Sequence, residues 1–366
     1  MGFLETFVEP WYQSLSNPSK SQAEVLAALL KGYSRTDYGR AVGVDMVGDI
    51  TSYRSRVPTV TYGSLRPYLE RVRAGNYQAL LPEPVARWVM TRGTTGRPKE
   101  IPATETHLGL ILSAGARSII NFGLNGHNSV LERPVLNLNF PSEVAMVGGE
   151  PIGYSSGTYA KMNPGLGPAT LVPSQVEVDE LGPGITGGDW DRRFELAYRR
   201  AKGGDIGSTM GVTPVILAFA EFLRRRYRVH PKALWKLDAL FCTSVAKIHT
   251  KYEPQLRHYF GDVPVVEMYV ATEGVFAQQL DVLPYVCPNY DSYFLEVRLQ
   301  DRFKMLHELK RGEWGSLVVS TPLFPRYEIG DLIEAEGKGY YRVIGRTARM
   351  VKAEHVLFNA LTFRRP

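Results

Sequence analysis

The sequence predicts an α/β fold with at least one mixed sheet. Two observations carry that prediction. Amphipathic helical stretches alternate with short apolar runs of strand type, and Gly- and Pro-rich turns separate them. The length, 366 residues, suits one large α/β domain or two of ordinary size.

Taken in order, residues 22–30 have helical spacing after Asn17-Pro18, a helix-start pair. Residues 85–90 read as a strand leading into a Gly-rich loop, and residues 103–122 as the amphipathic helix that follows it. Residues 134–140 (PVLNLNF) alternate like a strand. Six Gly and four Pro punctuate residues 161–190, which predicts a long loop or mobile excursion of the kind that often serves function. Helical patterns return near residues 192–202 and 212–226. Strands follow at residues 263–269, 316–320 and 340–344.

Composition narrows the classes of function. Hydrophobic residues make up 44% and charged residues 22%, the balance of a water-soluble globular chain. No apolar run reaches the roughly 18 residues that span a bilayer. Glu5 and Glu9 stand where a secretory leader needs an apolar core, and Gly2 opens only a loose match to an acylation pattern. The two cysteines, Cys242 and Cys287, have neither metal nor redox spacing and read as reduced core thiols of a cytoplasmic protein. The formal charge of +6 comes from scattered residues and clusters such as Arg224-Arg225-Arg226, which follows an apolar helical pattern and reads as a solvated helix C-terminus. No nucleic-acid-binding motif is present, so neither nucleic acid nor membrane is expected as a partner. The seven histidines contain no pair at metal-ligand spacing, and His107 and His355 read as structural or solvated.

The most informative run is Thr91-Arg92-Gly93-Thr94-Thr95-Gly96-Arg97-Pro98-Lys99. Glycines let backbone N–H groups close around an anion, threonines add hydroxyl donors, and Lys99 adds a full charge. The common P-loop signature is absent, and a Gly/Thr turn joining a strand to a helix has the same composition. Three later runs extend the pattern. Tyr269-Val270-Ala271-Thr272-Glu273-Gly274 follows a strand, where Thr and Glu at a carboxyl end can meet a ligand and Glu can hold Mg²⁺ beside phosphates. Arg326-Tyr327-Glu328-Ile329-Gly330-Asp331 supplies an acceptor pair suited to two ribose hydroxyls, although an ordinary strand-entry Asp looks the same. Gly345-Arg346-Thr347-Ala348-Arg349-Met350-Val351-Lys352 closes the series.

In this order the four runs resemble the adenylate-forming (acyl-activating) superfamily. The flanking residues, Val57-Pro58-Thr59-Val60-Thr61-Tyr62, Leu65-Arg66-Pro67-Tyr68-Leu69-Glu70-Arg71-Val72, Lys99-Glu100-Ile101-Pro102-Ala103-Thr104 and Arg326-Tyr327, are similar to those of the auxin-conjugating type of acyl acid–amido synthetase. The resemblance covers roughly residues 10 to 350. It implies the large N-terminal domain of the firefly luciferase-like fold, with mixed sheets flanked by helices, over residues 1–344, which bind ATP and an acid. Residues 345–366 would then be a hinge and the remnant of a smaller C-terminal domain that is otherwise missing.

The resemblance also implies a two-step ligase reaction, with ATP and Mg²⁺ as cofactors. A carboxylic acid is activated as acyl-AMP, and an amine, usually that of an amino acid, takes the acyl group to form an amide. Thr91, Gly93, Thr94, Thr95, Gly96 and Lys99 would face the phosphates. Thr272 would bond the α-phosphate, Glu273 would hold Mg²⁺, Tyr269 would flank the adenine, Asp331 would bind ribose, and Arg346 would reach it from the hinge. Lys99, Thr272 and Glu273 are thus the catalytic set. Two departures stand out. Arg92 takes the place of the usual Ser, adding charge to the loop or blocking it, and Ala348-Arg349 replace an acidic hinge residue. Arg117, further along the helix after the loop, reads as a surface salt bridge or a substrate-carboxylate anchor. Ser142, Tyr154, Ser155 and Tyr159 are candidates for an acyl pocket. A coenzyme A ligase of the same superfamily and a non-catalytic nucleotide-binding module are the alternatives.

Overall fold

The computed structural model describes residues 2–92, 98–147 and 149–347. The expected mixed α/β architecture is present. The larger sheet is parallel at one side, where Ala169–Val172, Val135–Leu136, Ser208–Val212, Ala239–Thr243 and Val265–Ala271 run side by side. From Val265–Ala271 onward it becomes antiparallel through Gly274–Gln279, Val286–Pro288 and Tyr340–Arg346 to Tyr327–Gly337 and Trp314–Ser320. A smaller four-stranded sheet carries Arg87–Met90 and Glu100–Ala103 as an antiparallel pair around the Gly-rich run, with Glu150–Tyr154 parallel to Arg87–Met90.

Local sequence explains the helices that cover these sheets. Pro18 occupies the first helical position of Pro18–Tyr33, and the Asn17 side chain accepts from Lys20 N. Helix Glu105–Leu124 starts at Thr104, whose hydroxyl accepts from His107 N, and buries Leu108, Ile111, Ala114, Ser118 and Asn121 at three- and four-residue spacing. Helix Thr213–Tyr227 buries Ile216, Phe219, Ala220 and Leu223, and carries Arg224, Arg225 and Arg226 in its last turn, where the dipole favours cations. Cys242 and Cys287 are free and buried, and burial pushes both thiols up to about 12.

Two expectations are corrected. Residues 134–140 contribute only Val135–Leu136 to the sheet. Beyond Leu136 the Asn137 side chain bonds Pro173 O and Gln175 Oε1 across the fold and accepts from the Asn139 N–H, and these side-chain bonds take the place of further ladder pairing. Residues 161–190 are not a structureless loop. They hold the hairpin Gly165–Leu166/Ala169–Val172, a helix at Gln175–Asp179 and the start of helix Gly187–Ala201. Gly167, at positive φ, makes the hairpin turn, and Ser174/Glu177 and Thr186/Asp189 are capping boxes. The glycines mark turns and helix starts within ordered structure.

A buried ion pair ties the N-terminal helices to the antiparallel strands. Arg326 Nε meets Glu296 Oε2 at 2.9 Å, and Arg54 Nε meets Glu296 Oε1 at 2.7 Å. Arg326 also donates to the carbonyls of Arg54 and Val57 and lies over the Phe303 ring at 4.5 Å. Glu296 is 0% and Arg326 2% exposed. Glu296→Gln should therefore cost about 3–5 kcal/mol, because it strands a buried guanidinium. Urea unfolding at neutral pH measures this, and a cost below about 1 kcal/mol would contradict it.

Candidate functional site

The parallel strands deliver their carboxyl ends to one edge, the usual location of ligand sites in α/β sheets. There, Val265–Ala271 turns back into Gly274–Gln279 through two residues, Thr272 and Glu273, with Ala271 paired to Gly274. Both tip residues are buried, at 7% and 4% exposed. Gly274 is required by space, since a Cβ there would come within 2.7 Å of the Phe276 ring and 2.9 Å of Tyr293. The Thr272 carbonyl accepts from Tyr159 Oη at 3.2 Å and meets His107 Nε2 at 3.3 Å, while Thr272 Oγ1 bonds Ser155 Oγ at 3.2 Å. The turn is thus held from behind with its hydroxyl and carboxylate at the edge.

The neck of the Gly-rich run closes on itself. Thr91 N donates to Lys99 O at 2.9 Å, and Lys99 N donates to Thr91 Oγ1 at 2.8 Å. Thr91 therefore spends one acceptor site on fixing Lys99. Lys99 Nζ donates to Tyr327 Oη at 2.9 Å and lies 5.6 Å from the Tyr62 ring centroid and 5.5 Å from that of Tyr327. Burial, and next the neighbouring Glu273 charge, push the Tyr327 phenol far above its ordinary value. Lys99 thus rests on a buried phenol. Gly93, Thr94, Thr95 and Gly96 lie outside the described residues, as do Ala348, Arg349, Lys352 and His355.

Asp331 and Arg346 face each other across the antiparallel pair of Tyr327–Gly337 and Tyr340–Arg346. Arg346 Nε meets Asp331 Oδ1 at 2.9 Å, and Arg346 Nη2 donates to Ile329 O at 2.7 Å. Gly330, at φ 86°, makes the bend under this guanidinium. Tyr269 Oη donates to Asp331 Oδ2 at 2.8 Å. Burial raises the pKa of Asp331, while the Arg346 charge and the Tyr269 hydrogen bond oppose the shift. Arg92 joins the same region: its guanidinium lies over the Phe140 ring at 5.8 Å, and burial and then the Arg346 charge draw its pKa down.

Sequence reasoning thus named residues that converge, and it also named some that go elsewhere. Arg117 is neither a surface salt bridge nor a free anchor. It is 5% exposed, paired with Asp291 at 2.5 Å and bonded to Asn289 Oδ1 and Phe7 O. Ser142 bonds Asp179, and Tyr154 packs on Phe140, whereas Ser155 and Tyr159 do reach Thr272. Tyr62 and Tyr327 were quoted in matching runs without a role. Tyr327 stands four residues before Asp331, but Tyr62 lies well before the Gly-rich run, and no local spacing marks it.

Among the described residues, no three His, Cys, Asp or Glu side chains are grouped so as to hold a metal alone. Glu273 is the one acidic side chain of the turn, and the other nearby carboxylate, Asp331, is engaged by Arg346 and Tyr269. One buried carboxylate fits a Mg²⁺ that completes its shell with phosphate oxygens and water.

His107 gives the site an acid sensitivity. It is 0% exposed, and burial lowers its pKa from 6.5 to about 4, the bond to Thr272 O opposing the shift. The Nε2–H tautomer is the one that can donate to that carbonyl. Between these values the unfolded chain binds the extra proton, so stability is full above 6.5 and is lost as pH falls through about 4. His107→Gln, which keeps a donor and removes the titration, should flatten this part of a urea-stability profile. An unchanged profile would refute the assignment.

Residues 9–180 match the GH3 family N-terminal domain. An indole-3-acetic acid-amido synthetase of Arabidopsis thaliana is 33% identical over 94 residues, or 25% of this chain and 17% of that protein. A jasmonoyl–L-amino acid synthetase of Nicotiana attenuata is 29% identical over 103 residues, or 28% and 18%. The matched segments therefore span less than a fifth of these relatives. The solved structure of the GH3.15 acyl acid amido synthetase in complex with 2,4-DB superposes with a TM-score of 0.78 at 16% identity, covering 94% of this chain and 70% of that one. A 2-hydroxyisobutyryl-CoA ligase in complex with 2-HIB-AMP and CoA gives 0.60 at 15%, covering 89% and 74%. Residues 9–180 thus match the GH3 family N-terminal domain, and the chain shares the fold of these acyl acid amido synthetase and CoA ligase structures.

Proposed function

We propose that this chain is an ATP-dependent ligase that activates a carboxylic acid as acyl-AMP and transfers the acyl group to the amine of an amino acid. The observation that carries this reading is the convergence of Lys99, the Thr272-Glu273 turn and the Asp331–Arg346 pair at one sheet edge, within a chain that carries a GH3 domain. A carboxylate oxygen of the acid attacks the α-phosphorus of ATP, the bond to the bridging oxygen breaks, and pyrophosphate leaves. The amino-acid nitrogen then attacks the acyl carbonyl, AMP departs and the nitrogen loses a proton.

In this reading, Lys99 turns from Tyr327 to the outer phosphates, and Thr91, Gly93, Thr94, Thr95 and Gly96 surround them. Thr272 Oγ1 donates to the α-phosphate, where negative charge gathers in the transition state. Glu273 would hold Mg²⁺, which would supply positive charge against the phosphate oxygens. The unused lone pairs of Asp331 accept from ribose hydroxyls, Arg346 steadies that carboxylate, and Tyr269 borders the base. Residues from 345 onward act as a hinge. Two buried free thiols and the absence, among the described residues, of any helix long and apolar enough to cross a membrane support a cytoplasmic setting. A coenzyme A ligase would use the same ATP site. Adenylate consumption dependent on amino acids supports the amide reading, and dependence on coenzyme A supports the other.

Mg²⁺ and ATP should raise the melting temperature, as a ligand of the folded state must. Asp331→Ala should weaken ATP and AMP alike, whereas Lys99→Ala should weaken ATP more than AMP. Equal losses for both nucleotides in the lysine variant would refute its placement at the outer phosphates. Glu273→Gln should slow acyl-adenylate formation by about 10²–10³-fold in single turnover, with AMP affinity little changed. Wild-type rates in that variant would remove Glu273 from the metal role.

A further inference from the structure

Tyr62 has no role in the scheme above, yet it engages the loop lysine in two ways. Its ring lies beside the ammonium: Lys99 Nζ is 5.6 Å from the Tyr62 centroid and 5.5 Å from that of Tyr327. Its hydroxyl reaches the next residue of the chain, where Glu100 N donates to Tyr62 Oη at 3.2 Å and Tyr62 Oη donates to Glu100 O at 3.2 Å. The Glu100 side chain pairs with Arg73, at the far end of the helix that Tyr62 opens. One helix thus grips Glu100 by backbone and by carboxylate. On the other flank, Thr91 N donates to Lys99 O at 2.9 Å and Thr91 Oγ1 accepts from Lys99 N at 2.8 Å. The lysine therefore leaves the Gly-rich run between two fixed points.

The fold sets this tyrosine independently of the Gly-rich run. Thr61 and Ser64 form the capping box that starts helix Tyr62–Arg73. One residue earlier, Val60 bridges Tyr327, with Val60 N donating to Arg326 O at 3.0 Å and Glu328 N donating to Val60 O at 2.8 Å. The same bridge brings both rings to the ammonium, but their contributions differ. Tyr327 Oη takes one of the three ammonium protons at 2.9 Å, and a phosphate oxygen that claims this proton must displace the hydroxyl. The Tyr62 ring accepts no proton. It attracts the cation through its π face and keeps its place while the donors turn to phosphate. Among the described residues Lys99 makes no ion pair within 4.0 Å. An aromatic face holds a cation without neutralising it, whereas a carboxylate in that place would have to be displaced by the incoming anion.

We propose that Tyr62 is a positioning residue for Lys99, its ring steadying the ammonium and its hydroxyl fixing the strand that follows, so that the cation meets the outer phosphates of ATP. This rests on the adenylation reading and deepens it. The test is calorimetric titration of wild-type, Tyr62→Phe and Tyr62→Leu protein with ATP and Mg²⁺, and separately with AMP. Tyr62→Phe keeps the ring and loses the hydroxyl, and its ATP affinity should fall about threefold. Tyr62→Leu loses both, and its ATP affinity should fall about tenfold. AMP affinity should stay within about twofold in each, because AMP lacks the outer phosphates. In a Lys99→Met background both substitutions should add little, since they act through the lysine. ATP affinity unchanged or raised, equal losses for ATP and AMP, a leucine variant no weaker than the phenylalanine one, or undiminished losses in the Lys99→Met background would each overturn the proposal. Should Tyr62→Leu fail to fold, Tyr62→Phe decides alone: its loss must fall on ATP rather than AMP and disappear in the Lys99→Met background, and any other result counts against the proposal. Wild-type protein that binds neither nucleotide would overturn the adenylation reading along with this one, whereas wild-type binding with unaffected Tyr62 variants overturns this one alone.

Discussion

Arg326 and Glu296 are almost wholly withdrawn from water, and the arrangement of the candidate site depends on their pairing. Glu296 takes Arg326 on one oxygen and Arg54 on the other, so that one carboxylate binds an N-terminal helix to the antiparallel strands. Arg326 adopts a left-handed backbone conformation that costs a non-glycine residue energy, and its five donors are what hold it there. Tyr327 follows directly, bridged to Val60, and Asp331 lies four residues further along the same strand. A buried ion pair is a poor source of net stability but a strict geometric constraint. Here the constraint falls on the residues that meet the loop lysine and Arg346.

The candidate site spends its charges sparingly. Asp331 is shared by Arg346 and Tyr269, and Lys99 rests on a phenol. Arg92 leans over Phe140 and is drawn down by burial and by Arg346. Cations brought close together with little counter-charge favour an anion. The departure that Arg92 makes from the family pattern therefore adds positive charge to the side of the site that borders Phe140, Tyr154 and Trp190. Attraction of this kind is strongest where water is excluded, which is the state of Thr272 and Glu273.

Much of this was legible in the sequence, because the site residues sit at element ends with distinctive types. The Asn17-Pro18 start, the strand before Thr272 and the Gly330-Asp331 bend all read correctly, since capping, apolar runs and positive-φ glycines are local signals. The segment at 161–190 misled because glycine and proline counts do not distinguish a turn inside ordered structure from a long loop. PVLNLNF misled because the Asn137 amide bonds Pro173 O, 36 residues on, and the Asn139 amide bonds Asn137 Oδ1, contacts that period-two alternation does not reveal. Arg117 shows the deeper limit. Its partner Asp291 lies 174 residues away, and no spacing rule can reveal such a pairing. Tyr62 and Tyr327 escaped assignment for the same reason, since a phenol gains a role only when the fold brings a charge to it.

The surroundings of Glu273 show why phenols suit that location. Its charge bears on Tyr62, Tyr159, Tyr269 and Tyr327, and burial raises the pKa of every one of these phenols. Each ring excludes water and carries a donor, yet brings no counter-charge. An arginine in the same position would pair with the carboxylate bidentately, and a divalent cation would then have to displace it. Phenols set no opposite charge against the carboxylate, and their rings exclude water. In the proposed reaction a carboxylate set among tyrosines would suit a cation that arrives with its own phosphate ligands, the protein supplying one strong oxygen donor and the nucleotide the rest.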